Sequence, residues 1–151
     1  MQTVRSLSDL LTPARVAVHV EATTKAEALA AAVALVAGDE AVRDAARLAA
    51  DVEARESVLS TGVGEGLALP HARTSAVTAT VGALVTLATP VDWDAIDGAP
   101  VDLVVFFAGP ENERGAHIRL LAAISKTLSK PGCRRELAEA ASATDVMETL
   151  G

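Results

Sequence analysis

The chain has no tyrosine, one tryptophan and two phenylalanines, an aromatic share of 2%. The stacking platforms that hold single-stranded nucleic acid are therefore missing. Positive charge is short as well. Thirteen lysines and arginines face 20 aspartates and glutamates, for a net charge of −7, so nucleic acid is repelled overall and is not an expected partner. Cys133 is the only cysteine, which excludes an intramolecular disulfide and a cysteine-built zinc cluster. The longest apolar run, Ala28 to Gly38, is too short to insert across a membrane, and the first residues lack the apolar core of a signal peptide. A reducing, cytoplasmic setting is the expectation.

Hydrophobic residues make up half of the 151, enough for one domain over residues 1–151 with a proper core. After a break at Leu11-Thr12-Pro13, Val16, Val18 and Val20 alternate, predicting a strand with one apolar face and His19 pointing the other way. Thr24 and Glu27 have capping-box spacing and predict a helix to about Ala37, ended by Gly38. A second helix is expected from about Glu40 to Arg55, with Val42, Ala45, Ala46, Ala49 and Val52 on its apolar stripe. A strand over about Thr80–Leu87 and a short irregular or strand-like segment from Pro90 to Asp97, closed by the Asp97-Gly98 turn, come next. The continuous apolar run Val101–Ala108 then reads as a strand buried on both faces. Helices over about Asn112–Ser129, Arg134–Ala140 and from the Ser142 cap to Leu150 complete the chain. The fold class is α/β, a mixed β-sheet sandwiched between helices in a single domain.

The stretch Ser60 to Arg73 is the richest in chemistry. Gly62, Gly64 and Gly66 allow a turn with positive φ, Leu67-Ala68-Leu69 reads as a short buried strand, and Pro70 fixes His71 where strand meets loop. Such a histidine is either a rigidly held, reachable functional group or a solvated loop residue beside turn-making glycines. His117 shares the inward face of the Leu120, Leu121, Ile124 and Leu128 stripe, one turn into its helix. Alone, it reads as a buried histidine bonded to backbone.

Several chemistries lack their parts. The glycines do not form a dinucleotide fingerprint, and neither a Walker A sequence nor a nucleophile elbow is present. His71, His117 and Glu65 would be the ligands of a metal site, without the two-histidine helical spacing that marks one. Two histidines near a glycine turn suit phosphoryl transfer better: a neutral imidazole attacks phosphorus while a second imidazole, N–H groups and hydroxyls hold the oxygens.

Ser60-Thr61-Gly62-Val63-Gly64-Glu65-Gly66-Leu67-Ala68-Leu69-Pro70-His71-Ala72-Arg73 resembles the active-site signature of fructose/mannitol-type enzyme IIA domains of the bacterial phosphoenolpyruvate:sugar phosphotransferase system. The resemblance continues through Val91 to Gly98, Val101 to Val104 and His117 to Leu121, with Arg55-Glu56 matching an Arg-Glu pair ahead of the signature. It implies a phosphocarrier that needs no metal or cofactor. His71 would accept a phosphoryl group from phospho-HPr and pass it to a cysteine of enzyme IIB. His117 would stabilise the group or orient His71, Arg55 would add positive charge or brace the loop, and Thr61 would supply a hydroxyl or backbone donor. Trp93 and the Asp97-Gly98 turn resemble fructose-type members. Pro100 to Leu103 and Cys133-Arg134-Arg135 resemble the nitrogen-regulatory branch, which binds partners according to its phosphorylation state. A small metal-binding domain is the third reading.

Overall fold

The computed structural model describes residues 4–151. In chain order the elements are α1 (Leu7–Leu10), a 3-10 turn at Pro13–Arg15, β1 (Val16–Val20), α2 (Lys25–Ala34), α3 (Ala45–Val58), β2 (Gly62–Gly64), β3 (Leu67–Ala68) and β4 (His71–Arg73). There follow β5 (Val81–Val91), β6 (Val101–Gly109), α4 (Arg114–Leu128), α5 (Cys133–Glu139) and α6 (Ala143–Leu150). One six-stranded sheet runs β1-β5-β6-β3-β2, with β4 also on β6. β1–β5, β3–β6 and β4–β6 are parallel, while β5–β6 and β2–β3 are antiparallel, so the sheet is mixed as its sequence predicts.

β6 divides the core. Successive side chains on a strand point to opposite faces. Val104, Phe106 and Ala108 pack among Leu29, Val36, Leu48, Val52 and Trp93 on the α2–α3 side. Leu103, Val105 and Phe107 join Leu10, Leu120, Ile124, Leu128, Leu137 and Val146 on the side of α1 and α4–α6. Each large apolar side chain so buried contributes roughly 1.5–3 kcal/mol, and every residue of the strand except the half-buried Asp102 is buried.

Three local expectations are revised. The valines of β1 do not share a face: the register against β5 shifts between Ala17 and Val20, where His19 takes φ 53°. That bulge sends Val20 to one core and leaves Val16 and Val18 in the other. Asp44, whose carboxylate accepts from the Arg47 N–H, starts the second helix later than periodicity suggests, and Leu48, Val52 and Glu56 form its buried stripe. β5 runs on past Pro90 to Val91, and Ser6 caps the short α1, which the hydrophobic pattern did not reveal. The caps at Thr24 and Ser142 form as read, each hydroxyl accepting the N–H three residues on.

Candidate functional site

The peptide after the glycine turn forms one interrupted strand along β6. Leu67 is the register partner of Leu103 and His71 that of Phe107, with Pro70 in the gap lending its carbonyl to the Phe107 N–H at 3.2 Å. Four residues of strand separate those partners, about 13 Å. The Gly64-Glu65-Gly66 turn therefore lies at the far end of β3 from His71, not beside it as sequence order suggests. The turn is held instead by the Asp97 carboxylate, which accepts the Glu65 N–H at 2.9 Å, and by Arg134, which donates to Gly64 O and Glu65 Oε2, both at 3.1 Å.

His71 is fixed in two directions. Its Nδ1 lies 2.7 Å from the carbonyl of Leu69. A carbonyl only accepts, so Nδ1 carries the proton and Nε2 keeps its lone pair. The ring stacks on Phe107, centroids 5.3 Å apart and planes 13° from parallel. His117, from the first turn of α4, stands 5.4 Å from the His71 ring and 4.7 Å from that of Phe107. The structure thus brings together the two histidines that the sequence singled out. A Cβ at Gly109 would come 3.5 Å from His117 Nδ1, an ordinary contact.

His71, His117, Arg55, Arg73, Ala72 and Asp51 line a cleft of about 350 Å³. Arg55 reaches it from the last turn of α3, where its guanidinium also donates to Leu59 O at 3.1 Å. Arg73 donates to Glu111 O at 3.2 Å. Asp51 is occupied by Arg47 at 3.1 Å and by the Thr74 hydroxyl at 2.5 Å. Two guanidinium groups and two imidazoles thus surround the opening in a chain that is acidic overall.

Both rings are pushed towards neutrality. Burial lowers the pKa of His71, opposed by the bond to Leu69 and lowered further by Arg55. His117 is pushed down to about 4, first by burial and then by the charges of His71 and Arg73. A neutral His71 with Nδ1–H held and Nε2 free is a competent nucleophile, and cations around it suit an anionic electrophile.

Thr61 serves differently from the donor role expected of it. Its N–H donates to Glu56 Oε2 at 2.7 Å and its hydroxyl donates to Glu56 Oε1, so both donors are taken beneath the site. Glu65, at the distant turn, cannot join His71 and His117 as a third metal ligand. Among the described residues no three His, Cys, Asp or Glu side chains cluster as a metal site. Sequence reasoning passed over Phe107, Arg73, Asp51 and the Leu69 carbonyl. Phe107 was concealed in an apolar run, and a carbonyl has no sequence signal at all.

Residues 9–151 match the family model described as the phosphoenolpyruvate-dependent sugar phosphotransferase system, EIIA 2. The chain is 38% identical over 137 residues to the nitrogen regulatory protein of Pseudomonas aeruginosa, covering 91% of this chain and 89% of that one. It is 35% identical over 96 residues to the fructose-specific EIIABC component of Bacillus subtilis, covering 64% of this chain but 15% of that longer protein. Its fold superposes on nitrogen regulatory protein IIA-Ntr from Neisseria meningitidis with a TM-score of 0.87 and 30% identity, over 96% of this chain and 99% of the other. With the two histidines at one cleft and the mixed sheet between helices, these similarities establish the chain as a member of the EIIA type-2 family of the sugar phosphotransferase system.

Proposed function

We propose that residues 1–151 act as a cytoplasmic phosphocarrier that receives a phosphoryl group on His71 Nε2 from phospho-HPr and passes it to an enzyme IIB cysteine. The observation that carries this reading is the bond from His71 Nδ1 to Leu69 O, which leaves Nε2 unprotonated at a cleft shared with His117 and Arg55. In the first step the Nε2–P bond forms as the donor's N–P bond breaks, and the electron pair of that bond returns to the donor imidazole. His71 keeps its Nδ1 proton throughout. In the second step a cysteine thiolate attacks phosphorus, the S–P bond forms and Nε2 recovers its lone pair. His117, with its ring beside that of His71, stabilises the transferred oxygens, and Arg55 supplies positive charge. No metal enters either step.

Fructose-type sugar uptake and nitrogen-type regulation share this chemistry. One observation supports the regulatory reading over the sugar reading: similarity to the Pseudomonas nitrogen regulatory protein extends over 91% of this chain, against 64% for the fructose protein. In that role the phosphoryl group changes which proteins the cleft face binds.

The test is incubation with phosphoenolpyruvate, enzyme I and HPr, read by intact mass, with His71→Ala in parallel. One acid-labile phosphoryl group on the wild type and none on the variant is the expected result. A folded wild-type protein that stays unlabelled with several HPr sources would refute the carrier reading. Co-purification of a partner with only one phosphorylation state would then separate regulation from sugar transfer.

A further inference from the structure

We infer that Glu56, clamped by Lys25, is a positioning residue that selects which nitrogen of His71 is free to react, acting through Thr61 and Leu69. The inference rests on the phosphocarrier reading for its functional meaning, though not for its geometry.

Glu56 is a carboxylate with only 4% of its side chain exposed, on the buried stripe of α3. A buried carboxylate is retained at a cost unless each oxygen is satisfied. Here both are. Lys25 Nζ stands 2.9 Å from Oε2, the Thr61 N–H donates to the same oxygen at 2.7 Å, and the Thr61 hydroxyl donates to Oε1. Trp93, fully buried, closes the knot: its Nε1–H donates to Thr61 Oγ1 at 3.3 Å, and its carbonyl accepts from the Ser60 hydroxyl at 2.7 Å and from Lys25 at 3.4 Å. Lys25 Nζ also lies 5.5 Å from the centre of the Trp93 ring.

The knot leads to the reactive ring in two hydrogen bonds. Thr61 O accepts the Leu69 N–H at 3.0 Å, and Leu69 O accepts the His71 Nδ1 proton at 2.7 Å. The path is Lys25, Glu56, Thr61, Leu69, His71, with no gap. Thr61 and Leu69 flank the hairpin of β2 and β3, whose strands have three and two residues. So short a hairpin has few ladder bonds of its own, and β6 pairs with Ala68 and His71 on either side, leaving Leu69 itself tied through its N–H to Thr61 O. Removing the Glu56 anchor loosens that tie, and with it the setting of the Leu69 carbonyl, the acceptor that makes Nδ1 the protonated nitrogen. Buried groups that orient a reacting imidazole in this way set its tautomer without touching substrate.

The test reads the tautomer directly. In protein carrying ¹⁵N-labelled histidine, long-range ¹H–¹⁵N spectra of the unphosphorylated chain report which ring nitrogen of His71 bears the proton, with no phosphoryl donor present. Wild type is expected to show Nδ1–H alone. Glu56→Gln and Thr61→Val are expected to show a second tautomer with Nε2–H, and Thr61→Ser, which keeps the hydroxyl, to restore the wild-type pattern. Phosphorylation by the donor system should fall about 10- to 100-fold in kcat for the first two variants, with KM for the donor unchanged. His71 spectra identical to wild type in a folded Glu56→Gln or Thr61→Val protein would overturn the inference; should one variant fail to fold, the other decides. If the tautomers shift as expected but wild-type protein takes up no phosphoryl group, the positioning stands and the carrier reading falls.

Discussion

His71 and Phe107 are register partners on adjacent parallel strands, and their rings lie face to face, 5.3 Å apart and 13° from parallel. The stack sets the plane of the imidazole, and the Leu69 carbonyl sets its rotation within that plane. Phe107 is fully buried, so Phe107→Leu removes the stack while keeping an apolar side chain in the core. A loss of about 1–2 kcal/mol in denaturant unfolding is expected. Phosphorylation of His71 should slow by more than that loss of stability explains, because the ring is then held on one side only. Equal labelling rates in the two folded proteins would remove Phe107 from the site.

Acid is expected to act on stability through His117. Its pKa is about 4 in the folded chain against 6.5 ordinarily, so between those values the unfolded chain binds the extra proton. Stability is therefore fully present above pH 6.5 and declines as pH falls towards 4. With His117 only half-buried, solvent screening holds this loss to on the order of 1 kcal/mol. His117→Asn should flatten that part of a urea-unfolding profile measured from pH 7 to 4. The lowered pKa of His71 shifts activity in the same direction: phosphoryl acceptance should persist below pH 6.5 before it declines.

Arg55 combines a charge at the cleft with a bond to Leu59 O at the C-terminus of α3. Arg55→Ala should lower kcat/KM for phosphoryl acceptance by about 100-fold. Its effect on stability should stay near 1 kcal/mol, the worth of a helix C-terminal cation. Arg55→Lys keeps the charge and loses the planar fork, so it should recover only part of the rate. Full recovery in stopped-flow labelling would reduce the role of Arg55 to charge alone.

Gly62 is required for lack of a side chain: a Cβ there would come 2.7 Å from the Ala95 Cβ and 2.9 Å from its Cα. Backbone cannot swing aside, so Gly62→Ala should cost about 1–3 kcal/mol. Gly98, whose added Cβ would meet nothing, has φ +73°, and alanine there should cost about 1 kcal/mol through strain alone. Thermal melts of the two variants test the ordering, Gly62→Ala being the less stable.

Local rules carried the reading of the sequence well where side chains act locally. The caps at Thr24 and Ser142, the doubly buried run of β6 and the inward face of α4 all follow from spacing and composition. So did the pairing of His71 with His117, once the signature had been recognised. What was not legible depends on partners distant in sequence. Val20 changes sides because a bulge at His19 answers the register of β5. The glycine turn is close to His71 in sequence, yet an extended stretch along β6 carries the two apart. Glu56 reads as one charge on a solvated helix face, and only Lys25, 31 positions earlier, and Thr61, five later, make its burial tolerable.

On the carrier reading proposed above, the cleft offers its partners a single nucleophilic nitrogen, His71 Nε2. A donor and a recipient of the phosphoryl group cannot both reach Nε2, so each visit must end before the next begins. A carrier of this kind is expected to follow a ping-pong cycle, with parallel double-reciprocal lines for the two partners and each partner inhibiting at excess by occupying the other's turn. The protein is then a one-seat exchange, and its traffic is set by whichever partner leaves more slowly.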